Sequence, residues 1–217
     1  MKTLITSLYW EDNPPIIHEM QKKVFDKFGY EIIQTRGTVR HGTYIDWVLN
    51  NTDYERYLFI DSDCIPLSRN VIQEALDKVA GSPLLFGCAQ ASNHLHPELN
   101  KLVFAAPCFF TLTKETYHRL GCPTAMETAR SDVAAEFTWE ANSRGIPVEL
   151  WYPIRSLGAL NWALGSWGKR NYGLGTYYGP DDTTDEKVFH MFEARVSAQT
   201  GHYNMFVDEC NRILNSV

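Results

Sequence analysis

The stretch that decides the fold is Tyr57-Leu58-Phe59-Ile60-Asp61-Ser62-Asp63-Cys64-Ile65-Pro66, in which an apolar run ends in two carboxylates separated by one residue. The run is too short for a typical helix and is rich in aromatic and branched residues, so it predicts a buried strand. Pro66 cannot continue a central ladder and closes the turn. Asp61 and Asp63 are therefore expected at the carboxyl edge of the strand, where open α/β sheets bind their ligands.

Two interpretations of these carboxylates stay open at this point. Hard oxygen ligands of this kind hold Mg²⁺ or Mn²⁺ against substrate phosphates. Asp, Ser and Pro are also ordinary turn residues, so an Asx-type turn explains the same pattern. The choice depends on what else the chain brings to this edge of the sheet.

The composition is that of an ordinary globular protein. The 217 residues are 44% hydrophobic and 21% charged and show no repeat or linker, which predicts a single domain over residues 1–217. No apolar stretch reaches the roughly 20 residues that cross a bilayer, and the apolar start is too short for a signal peptide, so a cytoplasmic protein is expected. The net charge of −6 argues against broad electrostatic attraction to nucleic acid.

The cysteines carry a second compositional signal. There are five of them, an odd number, and they are widely spaced with no C-x-x-C pair. This pattern indicates neither a disulfide framework nor a zinc site. We therefore expect buried free thiols.

Strands alternate with helices in the first half of the chain. The pattern predicts strands at residues 2–8, 31–35 and 84–88, besides the strand that ends at Asp61. It predicts helices at residues 16–28 and 44–49, and a third helix that Ser68 caps and that runs to residue 79. Such alternation predicts a doubly wound α/β fold, with a mixed, mostly parallel sheet flanked by helices.

The second half is less regular. The apolar run at residues 102–112 contains Pro107, which predicts a bulged or edge strand. Helices are predicted at 114–120, at 131–144 with Ser131 as the N-cap, and at 203–214, with strands at 147–150 and 188–192. Residues 158–179 carry six glycines among tryptophans and tyrosines, which is typical of a long binding loop or lid.

The order of these motifs resembles that of glycosyltransferases of the GT-A fold, particularly small family-2-like enzymes that use nucleotide-sugar donors. The similarity rests on the first strand, Arg40-His41-Gly42, Asp61-Ser62-Asp63, Ser131-Asp132 and Phe189-His190-Met191-Phe192, which together span most of the chain. The resemblance implies one GT-A, Rossmann-like domain. Its nucleotide-sugar-binding half would cover about residues 1–100 and its acceptor-side half about residues 101–217.

In GT-A enzymes the D-x-D motif holds the divalent ion that neutralises a departing diphosphate. The resemblance implies that Asp63 binds the metal directly and that Asp61, the second carboxylate of the metal site, lies with Ser62 nearer the ribose or a bound water. It also implies that His190 completes the metal shell. An imidazole ligand suits Mn²⁺ at least as well as Mg²⁺. A histidine without any ligand role is the alternative for His190.

Asp132 is the candidate general base, because an inverting transfer needs a carboxylate that takes the proton from the acceptor hydroxyl. Glu136 follows four residues later on the same predicted helix face and is a second candidate catalytic group. Both have a structural alternative, since acidic residues in a first turn favour the helix dipole. If Asp132 is not the base, a retaining mechanism stays open.

Several residues are candidates for binding the donor nucleotide. In a GT-A enzyme the end of the first strand begins the nucleotide pocket, and the next connection can reach the nucleotide or its ribose. A glycine-rich loop that carries cations can close over a diphosphate. The candidates are Ser7, Tyr9, Arg36, His41, Asp46, Lys169, Arg170 and Arg195. Solvated charges and turn residues are their structural alternatives.

The expected function is metal-dependent transfer of a sugar from a nucleotide-diphosphate sugar, with UDP the first choice, to a hydroxyl acceptor. A saccharide or glycoconjugate acceptor is favoured over a nucleic acid. A nucleotidyltransferase would carry a glycine-rich phosphate loop and a lysine near the first strand, and Thr6-Ser7-Leu8-Tyr9-Trp10-Glu11 has neither. A phosphatase with Asp61 as nucleophile is a second enzyme alternative, although such enzymes commonly carry D-x-D on the first strand. A non-catalytic carbohydrate-binding protein is the alternative from outside enzymes.

Overall fold

The computed structural model describes residues 1–92, 102–159 and 172–216, and within these ranges strands alternate with helices along the chain. The strands are β1 (Thr3–Tyr9), β2 (Ile33–Arg36), β3 (Arg56–Ile60), β4 (Cys64–Pro66), β5 (Leu85–Ala91), β6 (Val103–Thr113), β7 (Val148–Leu157), β8 (Gly175–Gly179) and β9 (Val188–Met191). The helices are α1 (Pro15–Phe28), α2 (His41–Asn51), α3 (Arg69–Lys78), α4 (Lys114–Arg119), α5 (Ala135–Arg144), α6 (Ser197–Thr200) and α7 (Tyr203–Asn215), and a 3-10 turn spans Ala194–Val196.

The strands of these ranges form one sheet, in the order β2-β1-β3-β6-β5-β7-β8-β9-β4. Parallel pairs join β1 to β2, β1 to β3 and β5 to β7, and the other five pairings are antiparallel. The prediction of a mixed α/β sheet flanked by helices is confirmed, but the prediction that the sheet is mostly parallel is wrong. Short connections such as residues 180–187 return the chain antiparallel without a helical crossover.

Helix α1 supports the segment that follows β3. It begins at Pro15, because proline suits the first helical turn, and ends before Gly29, whose φ of 75° is the left-handed conformation that glycine favours. Gln21 is buried on its inner face and donates its side-chain amide to the carbonyls of Asp61 and Cys64, at 2.6 and 2.8 Å. The helix thereby fixes the backbone around the two carboxylates.

Pro107 lies in β6, which is a central strand rather than the edge strand allowed by the sequence. The register with β5 jumps from Gly87 opposite Phe110 to Cys88 opposite Ala106, so residues 107–109 form a bulge. A bulge tolerates the missing proline N–H because the ladder is already interrupted there. The carbonyl of Cys108 within it accepts the N–H of Asp61 at 3.0 Å.

The residues Asp61-Ser62-Asp63, here named the DSD turn, connect distant positions of the sheet. They join β3, third in the strand order, to β4, which is last. The sheet therefore curls until its final strand returns beside β3. Pro66 belongs to β4 rather than closing the turn as predicted, and an edge strand accommodates proline because one side needs no hydrogen-bond partner.

Helix α5 begins later than the sequence predicted. Ser131 was the expected N-cap, but the helix starts at Ala135 after Ala134, which has a φ of 64°. The Ser131 hydroxyl instead donates to the carboxylate of Glu136 at 2.9 Å. Asp132 consequently lies in the turn before the helix and not in its first turn.

Two expectations from composition can be compared with the structure. All five cysteines are free thiols, and four of them are buried, whereas Cys122 is exposed. Among the described residues, no helix combines the length and apolarity that a bilayer crossing requires.

Candidate functional site

The DSD turn brings two carboxylates to an imidazole. Nε2 of His190 lies 3.5 Å from Oδ1 of Asp63 and 3.8 Å from Oδ2 of Asp61. One ligand atom from each of these residues lies within 4.8 Å of the others. Ligand atoms about 2.1 Å from one ion are about 3 to 4 Å apart, so small side-chain rotations suffice for all three groups to share a divalent ion.

The pairing of β4 with β9 places His190 beside the two carboxylates. Cys64 pairs with His190 across the antiparallel β4 and β9, and the N–H of Met191 donates to the carbonyl of Asp63 at 2.9 Å. The imidazole is buried, with 4% exposure, so its position is set by packing rather than by solvent. The three groups are thus held by backbone pairing and not by flexible loops.

Burial and charge shift the protonation of these groups. Burial raises the pKa of the Asp61 carboxyl, with His41 opposing this effect and Asp63 adding to it. Burial disfavours the protonated imidazole of His190, but the neighbouring Cys108 and Asp63 outweigh it and hold that pKa well above its ordinary value. A second imidazole is close to the cluster, since Nε2 of His41 lies 3.5 Å from Oδ1 of Asp61. The cluster therefore concentrates negative charge that protons or a divalent cation can balance.

A cavity of about 840 Å³ opens beside the cluster, and the DSD turn and His190 form part of its wall. Its size lies in the range of small-molecule and cofactor sites. The wall also includes residues that follow β1, the start of α2, positions in β5 and β6, the loop that precedes α5, and the segment after β9. Among the residues of the wall are Trp10, Asn13, His41, Gln90, Glu127, Val133 and Arg195.

Trp10, His41 and Arg195 form one side of this cavity. The Trp10 indole packs edge-on against His41 with ring centroids 5.9 Å apart, and the guanidinium of Arg195 lies 5.0 Å from the Trp10 ring. Within the described ranges Arg195 forms no ion pair with a carboxylate. Its positive charge is therefore available to an anionic ligand. Two of the predicted donor-binding residues, His41 and Arg195, thus meet at the cavity.

Other predicted donor-binding residues do not line the cavity in the part of the chain that the structure describes. Ser7 is buried within β1. Tyr9 stacks on His18 with ring centroids 4.0 Å apart, and Arg36 forms an ion pair with Glu11. None of these three is among the residues that line the cavity in the described ranges. Their role in donor binding stays a prediction. Lys169 and Arg170 lie outside the described residues.

Asp46 holds a loop against α2 rather than reaching the cavity. Its carboxylate accepts the N–H of Ala125 at 2.6 Å and the hydroxyl of Thr124 at 2.7 Å. Gly42, one turn earlier on the helix, permits the same approach, because an added Cβ would lie 2.5 Å from the Ala125 carbonyl oxygen. This docking places Glu127, two residues further along the loop, at the cavity wall.

Asp132 lies next to the cavity. Its carboxylate accepts a hydrogen bond from the Ser92 hydroxyl at 2.7 Å, and the following residue, Val133, lines the cavity. Asp132 is partly buried, and the Ser92 hydroxyl gives its carboxylate a fixed partner. The position is compatible with the predicted role of base, which stays a prediction.

Glu136 has the surroundings of a structural residue. Its buried carboxylate accepts hydrogen bonds from Arg130, Thr128 and Ser131 at 2.6 to 2.9 Å. The Arg130 guanidinium holds the pKa of this carboxyl below its ordinary value. These contacts fasten the turn before α5, and they give no support to a catalytic role for Glu136.

Sequence reasoning missed Asn13 at the cavity wall. Asn13 precedes Pro14 and Pro15 and reads simply as a turn residue. In the structure it has 4% exposure and donates its side-chain amide to the Ser62 hydroxyl at 3.0 Å. The available signal was its place just beyond the carboxyl end of the first strand, where ligand-binding residues gather in α/β folds.

No protein-family model matches the chain, and no curated protein matches its sequence. Similar solved structures include a mutant Drosophila beta-1,4-galactosyltransferase 7 with manganese, UDP-Gal and xylobiose, at 12% identity and a TM-score of 0.45 over 71% of this chain and 66% of that one. Glucosyl-3-phosphoglycerate synthase from Mycobacterium tuberculosis, with phosphoglyceric acid, has 12% identity and a TM-score of 0.44 over 69% and 70%. A CMP:2-keto-3-deoxy-manno-octonic acid synthetase with CTP has 10% identity and a TM-score of 0.42 over 70% and 90%. Similarities this low carry no inference about the reaction.

Proposed function

We propose that this chain is a metal-dependent glycosyltransferase that moves a sugar from a nucleoside-diphosphate sugar, with UDP as the first choice of nucleotide, to a hydroxyl group of a saccharide or glycoconjugate. The observation that carries the proposal is the placement of Asp61, Asp63 and His190 together at the wall of a cavity of about 840 Å³. The donor set of two carboxylates and one imidazole fits Mn²⁺ or Mg²⁺. An ion held there would neutralise charge on a departing diphosphate.

The chain's own residues supply the remaining requirements of such a transfer. Arg195 adds a positive charge without a carboxylate partner on the same cavity, which favours binding of the donor diphosphate. His41 lies 3.5 Å from Asp61 and orients that carboxylate. Trp10 provides an aromatic surface at the end of β1. The donor side of the proposed site is therefore formed by the first half of the chain together with His190 and Arg195.

Asp132 is our proposed general base. Its carboxylate accepts the Ser92 hydroxyl at 2.7 Å, which orients it beside the cavity. In an inverting transfer this carboxylate takes the proton of the acceptor hydroxyl as that oxygen attacks the anomeric carbon. The acceptor then enters from the side of Val133 and Glu127, both of which line the cavity.

The experiment is a screen of UDP-, GDP-, TDP- and CMP-linked sugars, with and without Mn²⁺, that measures nucleotide release and sugar transfer. We expect metal-dependent turnover that is lost in Asp63→Ala and in Asp132→Ala. Asp77→Ala, which removes an exposed carboxylate of α3, is the control and should retain turnover. Sugar binding without turnover under any metal would contradict the proposal and favour a carbohydrate-binding protein. Release of pyrophosphate from a nucleoside triphosphate and a sugar phosphate would favour a nucleotidyltransferase.

A further inference from the structure

Asn13 has an unused hydrogen-bond acceptor at the cavity wall. Its Nδ2 donates to the Ser62 hydroxyl at 3.0 Å, and its backbone N–H donates to the carbonyl of Trp10 at 3.1 Å. Its Oδ1 is buried and accepts no hydrogen bond within the described ranges. The side chain as a whole has 4% exposure. Hydrogen bonds therefore hold both the backbone and the side-chain amide nitrogen of Asn13, while its Oδ1 has no partner within the described ranges.

The chemistry of this atom limits what it can bind. A buried acceptor without a donor is unfavourable, so a ligand that supplies an O–H or N–H group is favoured at this position. The oxygens of an ionised diphosphate cannot donate a hydrogen bond, so they do not satisfy Oδ1. The group that meets Asn13 must therefore be a hydroxyl or an N–H of the ligand and not its phosphates.

The position of Asn13 selects among such groups. Its backbone N–H is hydrogen-bonded to the carbonyl of Trp10, an aromatic residue of the wall, and its side chain is hydrogen-bonded to Ser62, between the two carboxylates of the proposed metal site. A nucleoside diphosphate has the same order of parts, in which the ribose lies between an aromatic base and the diphosphate that meets the metal. A ribose hydroxyl is the donor that falls between these two ends.

We propose that Oδ1 of Asn13 accepts a hydrogen bond from a ribose hydroxyl of the donor nucleotide, so that this residue recognises the ribose. The inference rests on the proposed function, because it places a nucleoside diphosphate in this cavity. It goes further by assigning recognition of the ribose to Asn13. A site that hydrogen-bonds a substrate hydroxyl rejects the analogue that lacks it, because the protein group is then left buried and unpaired.

The first test uses the unaltered protein. The affinities of UDP and GDP are measured by titration calorimetry in the presence of Mn²⁺, together with those of their 2′-deoxy and 3′-deoxy forms. We expect removal of one of the two hydroxyls to weaken binding by about tenfold. The other deoxy form should bind with nearly the parent affinity. This arm needs no variant, so a folding defect cannot affect it.

The second test asks whether Asn13 is the partner of that hydroxyl. In Asn13→Ala the parent nucleotide should bind about tenfold more weakly, and the deoxy form should lose nothing further. Asn13→Asp keeps an acceptor, and the Ser62 hydroxyl can donate to its second oxygen, so the preference for the hydroxyl should persist. Gln90→Ala removes a side-chain amide from elsewhere on the same wall and should also keep that preference. Mn²⁺ binding without nucleotide and thermal unfolding confirm that each variant is folded.

The possible failures are distinguishable. If none of UDP, GDP and TDP binds with Mn²⁺, the proposed function and this inference are both overturned. If a ribonucleotide and both of its deoxy forms bind equally well to the unaltered protein, only the role of the ribose is overturned. If Asn13→Ala retains the full preference for the hydroxyl, the assignment to Asn13 is overturned.

Discussion

The contact between α2 and the loop that carries Glu127 offers a direct test of how the cavity is assembled. Replacing Gly42 by alanine adds a Cβ that would lie 2.5 Å from the carbonyl oxygen of Ala125, 2.7 Å from the Cα of Met126 and 2.8 Å from the carbonyl carbon of Ala125. All three are backbone atoms, so no side-chain rotation relieves the overlap. The helix and the loop must move apart.

The expected loss of stability follows from two opposing contributions. Alanine is a better helix former than glycine, which favours Gly42→Ala by about 1 kcal/mol. Overpacking of a well-packed interior costs about 1 to 3 kcal/mol, and three backbone overlaps at once place this substitution in the upper part of that range. We therefore expect Gly42→Ala to lower the free energy of unfolding by about 1 to 2 kcal/mol.

Urea unfolding followed by circular dichroism measures this difference. The matched control is Gly81→Ala, because a Cβ added at Gly81 would meet no atom within 4 Å. The control should be as stable as the parent or up to about 1 kcal/mol more stable. Equal or greater stability of Gly42→Ala would refute the inference that close backbone approach holds this loop at the cavity.

Glu136, Asp63 and Cys122 each have surroundings with a measurable consequence. Glu136→Gln should lower stability at pH 7 by about 1 to 3 kcal/mol, because the pairing with Arg130 is lost. The folded-state pKa of Glu136 is depressed, so its contribution to the free energy of unfolding is present above the ordinary pKa of 4.5 and disappears as the pH falls through the folded pKa. The difference in unfolding free energy between parent and variant, measured in urea, should therefore narrow on acidification. A difference that stays constant with pH would count against this role. Asp63→Asn should weaken Mn²⁺ binding by at least about tenfold in calorimetry, with Asp77→Asn unchanged, and equal affinities would remove Asp63 from the metal site. In the native protein Cys122 should react rapidly with a thiol reagent while the four buried cysteines react only after unfolding, which absorbance titration measures; fast reaction of more than one thiol would contradict the burial seen here.

Local signals in the sequence predicted several elements closely. Helix α1 was expected at residues 16–28 and spans Pro15–Phe28, and Ser68 precedes α3 as the sequence predicted. Proline at the start of a helix, glycine at its end and apolar residues at helical spacing act over a few residues, so they can be read from sequence alone. The same holds for the strand that ends at the DSD turn.

The directions and partners of the strands were not predictable in the same way. The alternation of elements suggested a mostly parallel sheet, and Pro107 suggested an edge strand as one possibility, yet β6 is central and antiparallel to both of its neighbours. An apolar run records that a strand is buried but not which strand lies beside it. Pairing depends on contacts between residues far apart in the sequence.

The candidate site shows the same division between local and distant information. Sequence order singled out the DSD turn and His190, and the structure brings these groups together. The sequence alone did not show that Asp46 binds a loop, that Glu136 is held by Arg130, or that Asn13 lines a cavity. A polar residue gives the same sequence pattern whether its partner is solvent, a backbone amide or a ligand, because the tertiary fold decides which of these it meets.

The pairing of β4 with β9 also has a consequence for the order in which the protein assembles. Cys64 and His190 are opposite one another in the sheet but are separated by more than half of the chain. Such distant pairing requires closure of a long segment and is slow compared with local helix formation. During synthesis the two carboxylates emerge well before His190, so the proposed metal site cannot be complete until the ribosome has passed His190. Affinity for Mn²⁺ at that proposed site would then report on the pairing of β4 with β9.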